Sequence, residues 1–271
     1  MLVDTHCHLN AMDKLEFNKI LGEDYFSTID KVLQNASNAS VDRIITIGTN
    51  LIESINACSI AKRYKNVFSS IGIHPSDLTD NWRDDLKAIE ELIKEKEKNK
   101  IVAIGEIGLD YFHEPQELRE KTGQLCAFRA QIELALKYNL PIIIHSRNAS
   151  DDLLKILEEY KKELKAVLHC FSHEKYLADT VCEWGFYFGI NGLITYPKNQ
   201  IIRDIVASLP LNKILLETDA PFLPPQRMRG QKNYPAYIPI FAQTVAELKK
   251  ITLSELSDIT TKNAFDLFKL F

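Results

Sequence analysis

The chain lacks several features that mark specialised classes of protein. Its 271 residues include only 10 glycines and 10 prolines, which argues against a fibrous chain. Five cysteines are scattered without paired spacing, a distribution that suggests reduced thiols. No run approaches the roughly 18 apolar residues of a membrane-spanning helix, and no signal peptide is visible. We therefore expect a cytoplasmic protein with no membrane association and no obligate protein partner.

The chain also lacks an excess of positive charge. It has 33 lysines and arginines against 37 acidic residues, a formal net charge of −4, which excludes a globally basic nucleic-acid-binding protein. An anionic substrate would therefore need local cations or bound metal. The hydrophobic fraction of 45% and the charged fraction of 26% are ordinary for a globular protein.

Short β-rich apolar runs alternate with longer amphipathic stretches along the chain. Near-continuous apolar runs, as at residues 44–47 and 142–144, are typical of strands that are buried on both faces of a parallel sheet. Eight strands are predicted, at residues 2–8, 43–49, 67–74, 101–106, 141–145, 166–170, 186–190 and 213–219. The predicted helices include residues 51–64, 82–98, 117–138, 151–164, 173–184 and 253–269.

Eight strands, each followed by a helical pattern, are the number found in a TIM (β/α)₈ barrel. We predict one such barrel, a single domain over residues 1–271. An open, doubly wound sheet is the alternative, and strand counting alone does not decide between them. No Gly-x-Gly-x-x-Gly follows the first strand, so a dinucleotide site has no support.

Ionisable residues stand at the C-terminal ends of the predicted strands. His6 and His8 end the first strand, and their spacing places both imidazoles on one face. In a barrel, the C-terminal strand ends converge on one mouth. A lone histidine at a strand end is more often structural, but five of the seven histidines share this position. The other residues at these ends are His74, Glu106, His145, His169 and Asp219.

Six of these groups, four imidazoles and two carboxylates, form a candidate ligand set for one or two divalent cations. The carboxylate of Glu106 can bridge two cations, which a single imidazole cannot do. Asp219 follows an apolar run, and a buried carboxylate needs a partner such as a metal. Glu217, two residues earlier, could bond a ligand or the substrate. Asp110 could accept a hydrogen bond from a ligand or could be a turn residue, and we favour the structural role.

These residues lie in short motifs that occur in a particular order. The motifs are DTHCHL at 4–9, GIHP at 72–75, GEIGLDY at 105–111, PIIIHSR at 141–147, HCFS at 169–172, ETDAP at 217–221, NYPAY at 233–237 and NAF at 263–265. The ordered set covers nearly the whole chain and resembles the TatD family of metal-dependent deoxyribonucleases. The resemblance implies a TIM-barrel hydrolase of the amidohydrolase-like group that acts on DNA with divalent metal.

The resemblance also implies a division of the ligands between two cations. His6, His8 and Asp219 would hold one cation, His145 and His169 would hold the second, and Glu106 would bridge them. Mg²⁺, Mn²⁺ and Zn²⁺ all remain candidates, because oxygen and imidazole ligands are mixed. The sequence departs from the family in a longer connection after the first strand and in His173, where glycine is frequent.

Further roles are expected around this centre. Asp219 would orient the attacking water and accept its proton, and with Glu106 it forms the predicted catalytic pair. His74 and Arg147 would contact the substrate phosphate, although a structural role for His74 and a surface position for Arg147 remain open. A loop with Arg227, Arg229 and Lys232 could follow a nucleic-acid backbone or could be an ordinary basic loop. Two tyrosines in the same region could stack on bases or simply pack, namely Tyr234 and Tyr237.

The expected activity is that of a deoxyribonuclease that releases nucleotides from the 3′ end, with single-stranded DNA or 3′ ends as substrate. One alternative is a hydrolase of small amides, lactones or phosphotriesters on the same barrel. A second is an aminoacyl-tRNA ester hydrolase, and a third is a barrel that binds without catalysis. Related small-molecule hydrolases often bridge their metals with a carboxylated lysine, so Glu106 favours the nuclease.

Overall fold

The computed structural model describes residues 1–13, 18–112 and 118–270, and for residues 118–120 it describes only the backbone. Eight parallel strands form one sheet in the order of the chain, which confirms the predicted TIM barrel and excludes a doubly wound sheet. The strands are β1 (Leu2–Cys7), β2 (Val41–Ile47), β3 (Val67–Ile71), β4 (Ile101–Asp110), β5 (Ile142–Arg147), β6 (Ala166–Leu168), β7 (Tyr187–Ile190) and β8 (Ile214–Leu216).

Hydrogen bonds between β1 and the segment after β8 bring the first and last strands together. The backbone N–H of Asp219 donates to the carbonyl of His6 at 2.8 Å, and the N–H of His8 donates to the carbonyl of Ala220 at 2.7 Å. Both pairs lie at the C-terminal end of the barrel. His6 near the end of β1 and His8 just after it are therefore fixed beside Asp219, which follows β8.

Helices lie between and after the strands. They are α1 (Phe26–Asn38), α2 (Leu51–Arg63), α3 (Trp82–Lys94), α4 (Lys96–Asn99), α5 (Leu118–Tyr138), α6 (Ser150–Tyr160), α7 (Lys175–Glu183), α8 (Gln200–Ser208), α9 (Ile238–Lys249) and α10 (Leu253–Phe268). The helix predicted at 82–98 is divided at Glu95. Residue 117, the predicted start of another helix, lies outside the described residues. None of the helices in the described ranges is long and apolar enough to cross a membrane.

Local capping explains where two of the helices begin. The side chain of Asn50 accepts the backbone N–H of Glu53 at 3.0 Å and caps α2. Thr252 and Glu255 form a capping box at the start of α10, in which each side chain satisfies a backbone N–H at the helix terminus. Asn81 occupies the N-cap position of α3, but its side chain makes no capping hydrogen bond there.

The hydrophobic core has two parts. A large cluster lies between the sheet and the outer helices. A smaller cluster fills the barrel interior at its N-terminal end and includes Val3, Ile45, Ile143 and Leu215. Residues from the C-terminal half of α10, including Phe268, belong to this smaller cluster, so the last helix packs against the bottom of the barrel.

Candidate metal centre

The inner face of the barrel changes from apolar to ionisable side chains near its C-terminal end. Ile143 belongs to the apolar interior cluster, and His145 follows two residues later in β5. Val167 belongs to the same cluster, and His169 follows it directly after β6. Residues two apart on a strand point to the same face. The strands therefore carry imidazoles into the mouth of the barrel.

One set of side chains gathers near the end of β1. The Nε2 atoms of His6 and His8 lie 3.3 Å apart. Asp219 Oδ1 is 3.5 Å from His6 Nε2 and 3.2 Å from His8 Nε2, and Glu106 Oε2 is 3.4 Å and 3.8 Å from the same two atoms. Two imidazole nitrogens and two carboxylate oxygens thus converge on one small volume.

A second set gathers on the other side of Glu106. Its Oε1 atom lies 2.8 Å from His145 Nδ1 and 2.9 Å from His169 Nε2. The His169 ring also stacks on the ring of His6, with centroids 3.8 Å apart. The two oxygens of one carboxylate therefore face two different pairs of imidazoles. The structure brings all six predicted ligand side chains to one end of the barrel.

Carboxylates behind two of these histidines orient their rings. His145 Nε2 lies 3.1 Å from Asp110 Oδ2, and His169 Nδ1 lies 3.2 Å from Glu217 Oε1. Glu217 Oε1 also accepts the backbone N–H of Cys170 at 2.6 Å. A histidine that donates one ring N–H to a carboxylate presents its other nitrogen to a metal. In both cases that other nitrogen faces Glu106.

The interpretation of Asp110 as a turn residue is wrong. Asp110 is the buried last residue of β4, and its carboxylate contacts a predicted ligand. The strand continues to Asp110 because Gly108 and Asp110 still pair with β5. Asp110 stands four residues after Glu106, and an even spacing on a strand places two side chains on one face. That spacing was a signal that sequence reasoning could have used.

Gly189 in β7 is a further residue of this site that sequence reasoning missed. A Cβ atom at this position would lie 2.1 Å from Glu217 Oε2, far inside any contact distance. Only glycine leaves room for the carboxylate that orients His169. No spacing or motif in the sequence signals this contact, because it is a tertiary contact between β7 and the residue that follows β8.

The electrostatics of the site favour ionised carboxylates. Burial alone would raise the pKa of Glu106, but its electrostatic interactions with the surrounding imidazoles, that of His169 first, outweigh burial and hold this pKa well below its usual value. Burial likewise opposes ionisation of Asp219, yet its hydrogen bond with His8 and the nearby imidazoles lower its pKa. The mouth therefore holds two buried negative charges, which require positive partners.

His74 and Arg147, the predicted substrate contacts, both line the cleft above these residues. His74 Nδ1 accepts the N–H of Ser76 at 3.1 Å, while its Nε2 lies 3.7 Å from Glu106 Oε1. Burial lowers the pKa of His74 to about 3, so the ring is neutral and carries its proton on Nε2. The guanidinium of Arg147 lies 3.5 Å from the centre of the Phe112 ring.

The predicted basic loop after β8 is partly neutralised. Lys232 Nζ lies 2.6 Å from Asp13 Oδ1, and the guanidinium of Arg229 lies 5.6 Å from the Tyr196 ring. Tyr234 and Tyr237 pack edge to face with centroids 5.7 Å apart, in line with the packing alternative. Arg227 of the same loop is exposed. His173, where the sequence departs from the family, is half-buried, and His113 lies outside the described residues.

A cleft of about 680 Å³ opens over the cluster. Leu193, Phe222 and Leu223 form an apolar side of this cleft. Residues with amide, hydroxyl or carboxylate side chains line the part of the cleft near the end of β2. Among them are Asn10, Asn18, Thr49, Asn50 and Asp77. His6 lies deeper and is fully buried. The cleft gives a ligand access to the ionisable cluster.

The chemistry of the cluster fits divalent cations. Its groups are imidazole nitrogens and carboxylate oxygens, the donors that Zn²⁺, Mn²⁺ and related cations bind. Within the described part of the chain, the buried Nδ1 atom of His6 has no hydrogen-bond partner. Two imidazole Nε2 atoms at 3.3 Å, flanked by two carboxylates, form an arrangement that a cation would stabilise.

Comparisons with known proteins agree with this chemistry. A family model described as TatD related DNase matches residues 3–269. The uncharacterized metal-dependent hydrolase YabD of Bacillus subtilis (strain 168) is 36% identical over 273 residues, covering 100% of both chains. The 3′-5′ ssDNA/RNA exonuclease TatD of Erwinia tasmaniensis is 35% identical over 251 residues, covering 89% of this chain and 93% of the relative.

A solved structure shows the same similarity in three dimensions. The crystal structure of YjjV, a TatD homolog from Escherichia coli K12, has a TM-score of 0.88 and 30% identity, and the match covers 100% of this chain and 98% of that one. The barrel, its ionisable mouth and these relatives agree. The chain belongs to the TatD-related DNase family and is a metal-dependent hydrolase.

Proposed function

We propose that this protein is a 3′-5′ exonuclease that hydrolyses phosphodiester bonds of single-stranded DNA with two divalent cations. The observation that carries the proposal is the position of Glu106. Its Oε2 atom faces His6 and His8, while its Oε1 atom faces His145 and His169. A carboxylate placed in this way can bridge two cations.

The proposed ligand sets follow the two sides of that carboxylate. His6, His8 and Asp219 would hold one cation, His145 and His169 would hold the other, and Glu106 would contact both. When bound, a pair of divalent cations neutralises the charge of a phosphodiester, clamps its oxygens and lowers the pKa of water. Mg²⁺, Mn²⁺ and Zn²⁺ are all compatible with this mixture of ligands.

Asp219 is the proposed catalytic base. Its carboxylate reaches the cleft, and its ionised form can orient a water molecule and accept its proton. Its backbone is held on both sides, since its N–H donates to His6 and its carbonyl accepts the N–H of Phe222 at 2.8 Å. Asp219 adopts a positive φ of 58°, an unfavourable conformation that tertiary hydrogen bonds maintain. The base would thus be fixed before substrate binds.

His74 and Arg147 are the proposed substrate contacts. The neutral ring of His74 can donate its Nε2 proton to a phosphate oxygen or to the leaving group. Arg147 is exposed at the end of β5, where its guanidinium can contact phosphate with two parallel hydrogen bonds. The choice of DNA is supported by the name of the Erwinia tasmaniensis relative, a 3′-5′ ssDNA/RNA exonuclease.

A direct test is digestion of single-stranded DNA labelled at its 5′ end, with Mg²⁺, Mn²⁺ or Zn²⁺ added to metal-depleted protein. We expect shortening from the 3′ end, and no cleavage in the presence of chelator. Glu106→Gln should lower kcat/KM at least about 10³-fold, because loss of one centre of a concerted site is rarely compensated. Glu159→Gln, the same change on the surface of α6, is the matched control and should retain activity.

A substrate panel separates this proposal from its alternatives. The panel contains DNA, RNA, a lactone, an amide, a phosphotriester and an aminoacyl-tRNA, each with the same defined metals. Hydrolysis of a small ester or of the aminoacyl bond without cleavage of DNA would overturn the exonuclease proposal. Wild-type rates in folded Glu106→Gln protein would overturn the bridging role of Glu106.

A further inference from the structure

Phe222 is an exposed aromatic residue beside the ionisable cluster. Its side chain is 48% exposed, and it lines the cleft together with Leu193 and Leu223. Single exposed apolar residues are common on proteins, so the location is what matters. The Phe222 ring meets the His8 ring edge to face, with centroids 5.8 Å apart. An aromatic surface therefore borders a proposed metal ligand directly.

The backbone under this ring is tightly held. The N–H of Phe222 donates to the carbonyl of Asp219 at 2.8 Å. The fully buried side chain of Asn233 donates to the carbonyls of Phe222 at 2.7 Å and Thr218 at 2.8 Å. The segment that carries the ring is thus fixed relative to Asp219. A surface that is ordered before binding loses little conformational entropy when a ligand contacts it.

The charge and polarity of the cleft indicate which chemical group fits against this ring. The cation site proposed above attracts an anionic centre, and the neighbouring wall of Leu193, Phe222 and Leu223 is apolar. A nucleotide combines a phosphate with a flat aromatic base joined through one sugar. Bases stack on aromatic side chains largely independently of their identity. This property suits an exonuclease that must accept successive different nucleotides.

We propose that Phe222 stacks on the nucleobase of a nucleotide that flanks the scissile phosphate, and so determines how the 3′ end is seated. This inference rests on the proposed exonuclease function. The ring would hold the base, while Asp219 and the histidines act on the attached phosphate. A sugar that lacks its base would lose this contact and would be a poorer substrate.

The test compares oligonucleotides that carry an abasic sugar at one of the two nucleotides flanking the scissile phosphate, one position at a time. For each protein, kcat/KM on the normal oligonucleotide is divided by kcat/KM on the abasic one. We expect wild-type protein to prefer the base at one position by about tenfold, the size of one stacking interaction. In Phe222→Ala this ratio should fall close to one, and Phe222→Tyr should restore it.

The ratio separates stacking from a structural role. Loss of metal or of folded protein lowers both rates in one variant and leaves their ratio unchanged. Tyr176→Ala is the matched control, because Tyr176 is also 48% exposed but is not part of the cleft lining. This control should keep the wild-type ratio.

The failures of the two proposals are distinguishable. If wild-type protein cleaves no DNA, the exonuclease proposal fails and the inference fails with it. If wild-type protein cleaves DNA and Phe222→Ala retains the full preference for the base, only the stacking role is overturned. Transfer of the effect to Phe112→Ala would likewise overturn the assignment to Phe222.

Discussion

The two ends of this barrel are built on the same strands but have opposite chemistry. At the N-terminal end the interior contains aliphatic side chains such as Val3 and Leu215, and α10 packs beneath them. At the C-terminal end the interior contains imidazoles and carboxylates that face a cleft. The change takes place over two residues, from Leu215 in β8 to Glu217 just after this strand. The sequence thus separates residues that stabilise the fold from residues that perform chemistry.

This contrast follows from the energetics of burial. Aliphatic side chains stabilise the barrel by about 25 cal/mol for each Å² of apolar surface removed from water. Buried carboxylates and imidazoles stabilise nothing unless they are paired. Glu106 and Glu217 are nevertheless buried, each between charged or polar partners. Mutations at the two ends should therefore have different consequences.

The largest loss of stability is expected from Leu215→Ala at the apolar end. Leu215 is fully buried in the interior cluster, so the cavity should lower the free energy of unfolding by about 2–5 kcal/mol. Because the cluster at the mouth is untouched, kcat/KM of the folded fraction should stay within about twofold of wild type. Urea denaturation and a rate measurement on the same preparation test this. A small loss of stability with a large loss of rate would break the proposed separation of the two ends.

A smaller effect, on metal affinity rather than on stability, is expected from Glu217→Gln. This change weakens the acceptor that orients His169, and loss of such an orienting carboxylate typically lowers metal affinity about 10–100-fold. Stability without metal should change less than in Leu215→Ala. Titration calorimetry with Mn²⁺ or Zn²⁺ on metal-depleted protein measures the affinity without a turnover assay. An unchanged affinity would show that Glu217 does not act through His169.

Much of the fold could be predicted because parallel strands are buried on both faces. The apolar run at 142–144 predicts such a strand, and β5 lies there. The strand ends were less predictable. The strand predicted at 67–74 ends at Ile71, and the one predicted at 213–219 ends at Leu216. His74 and Asp219 consequently lie in loops, where hydrogen bonds outside the regular ladder position them.

The candidate site was predictable in its membership but not in its geometry. Histidines and acids at strand ends identify the cluster, because parallel strands bring those ends together. The partners of each histidine are tertiary contacts between strands, which spacing does not reveal. The contact between Asp110 and His145 and the close approach of Gly189 to Glu217 are therefore visible only in the structure. The role of Phe222 is likewise not visible in the sequence, because the sequence does not show whether an aromatic side chain in a loop is exposed or buried.

Anomalous diffraction from crystals of the metal-loaded protein tests the central claim most directly. Two peaks are expected at the mouth of the barrel, one within ligand distance of His6, His8 and Asp219. The second should lie within ligand distance of His145 and His169, with Glu106 contacting both cations. A single peak, or peaks that are not in contact with Glu106, would contradict the bridged two-cation centre.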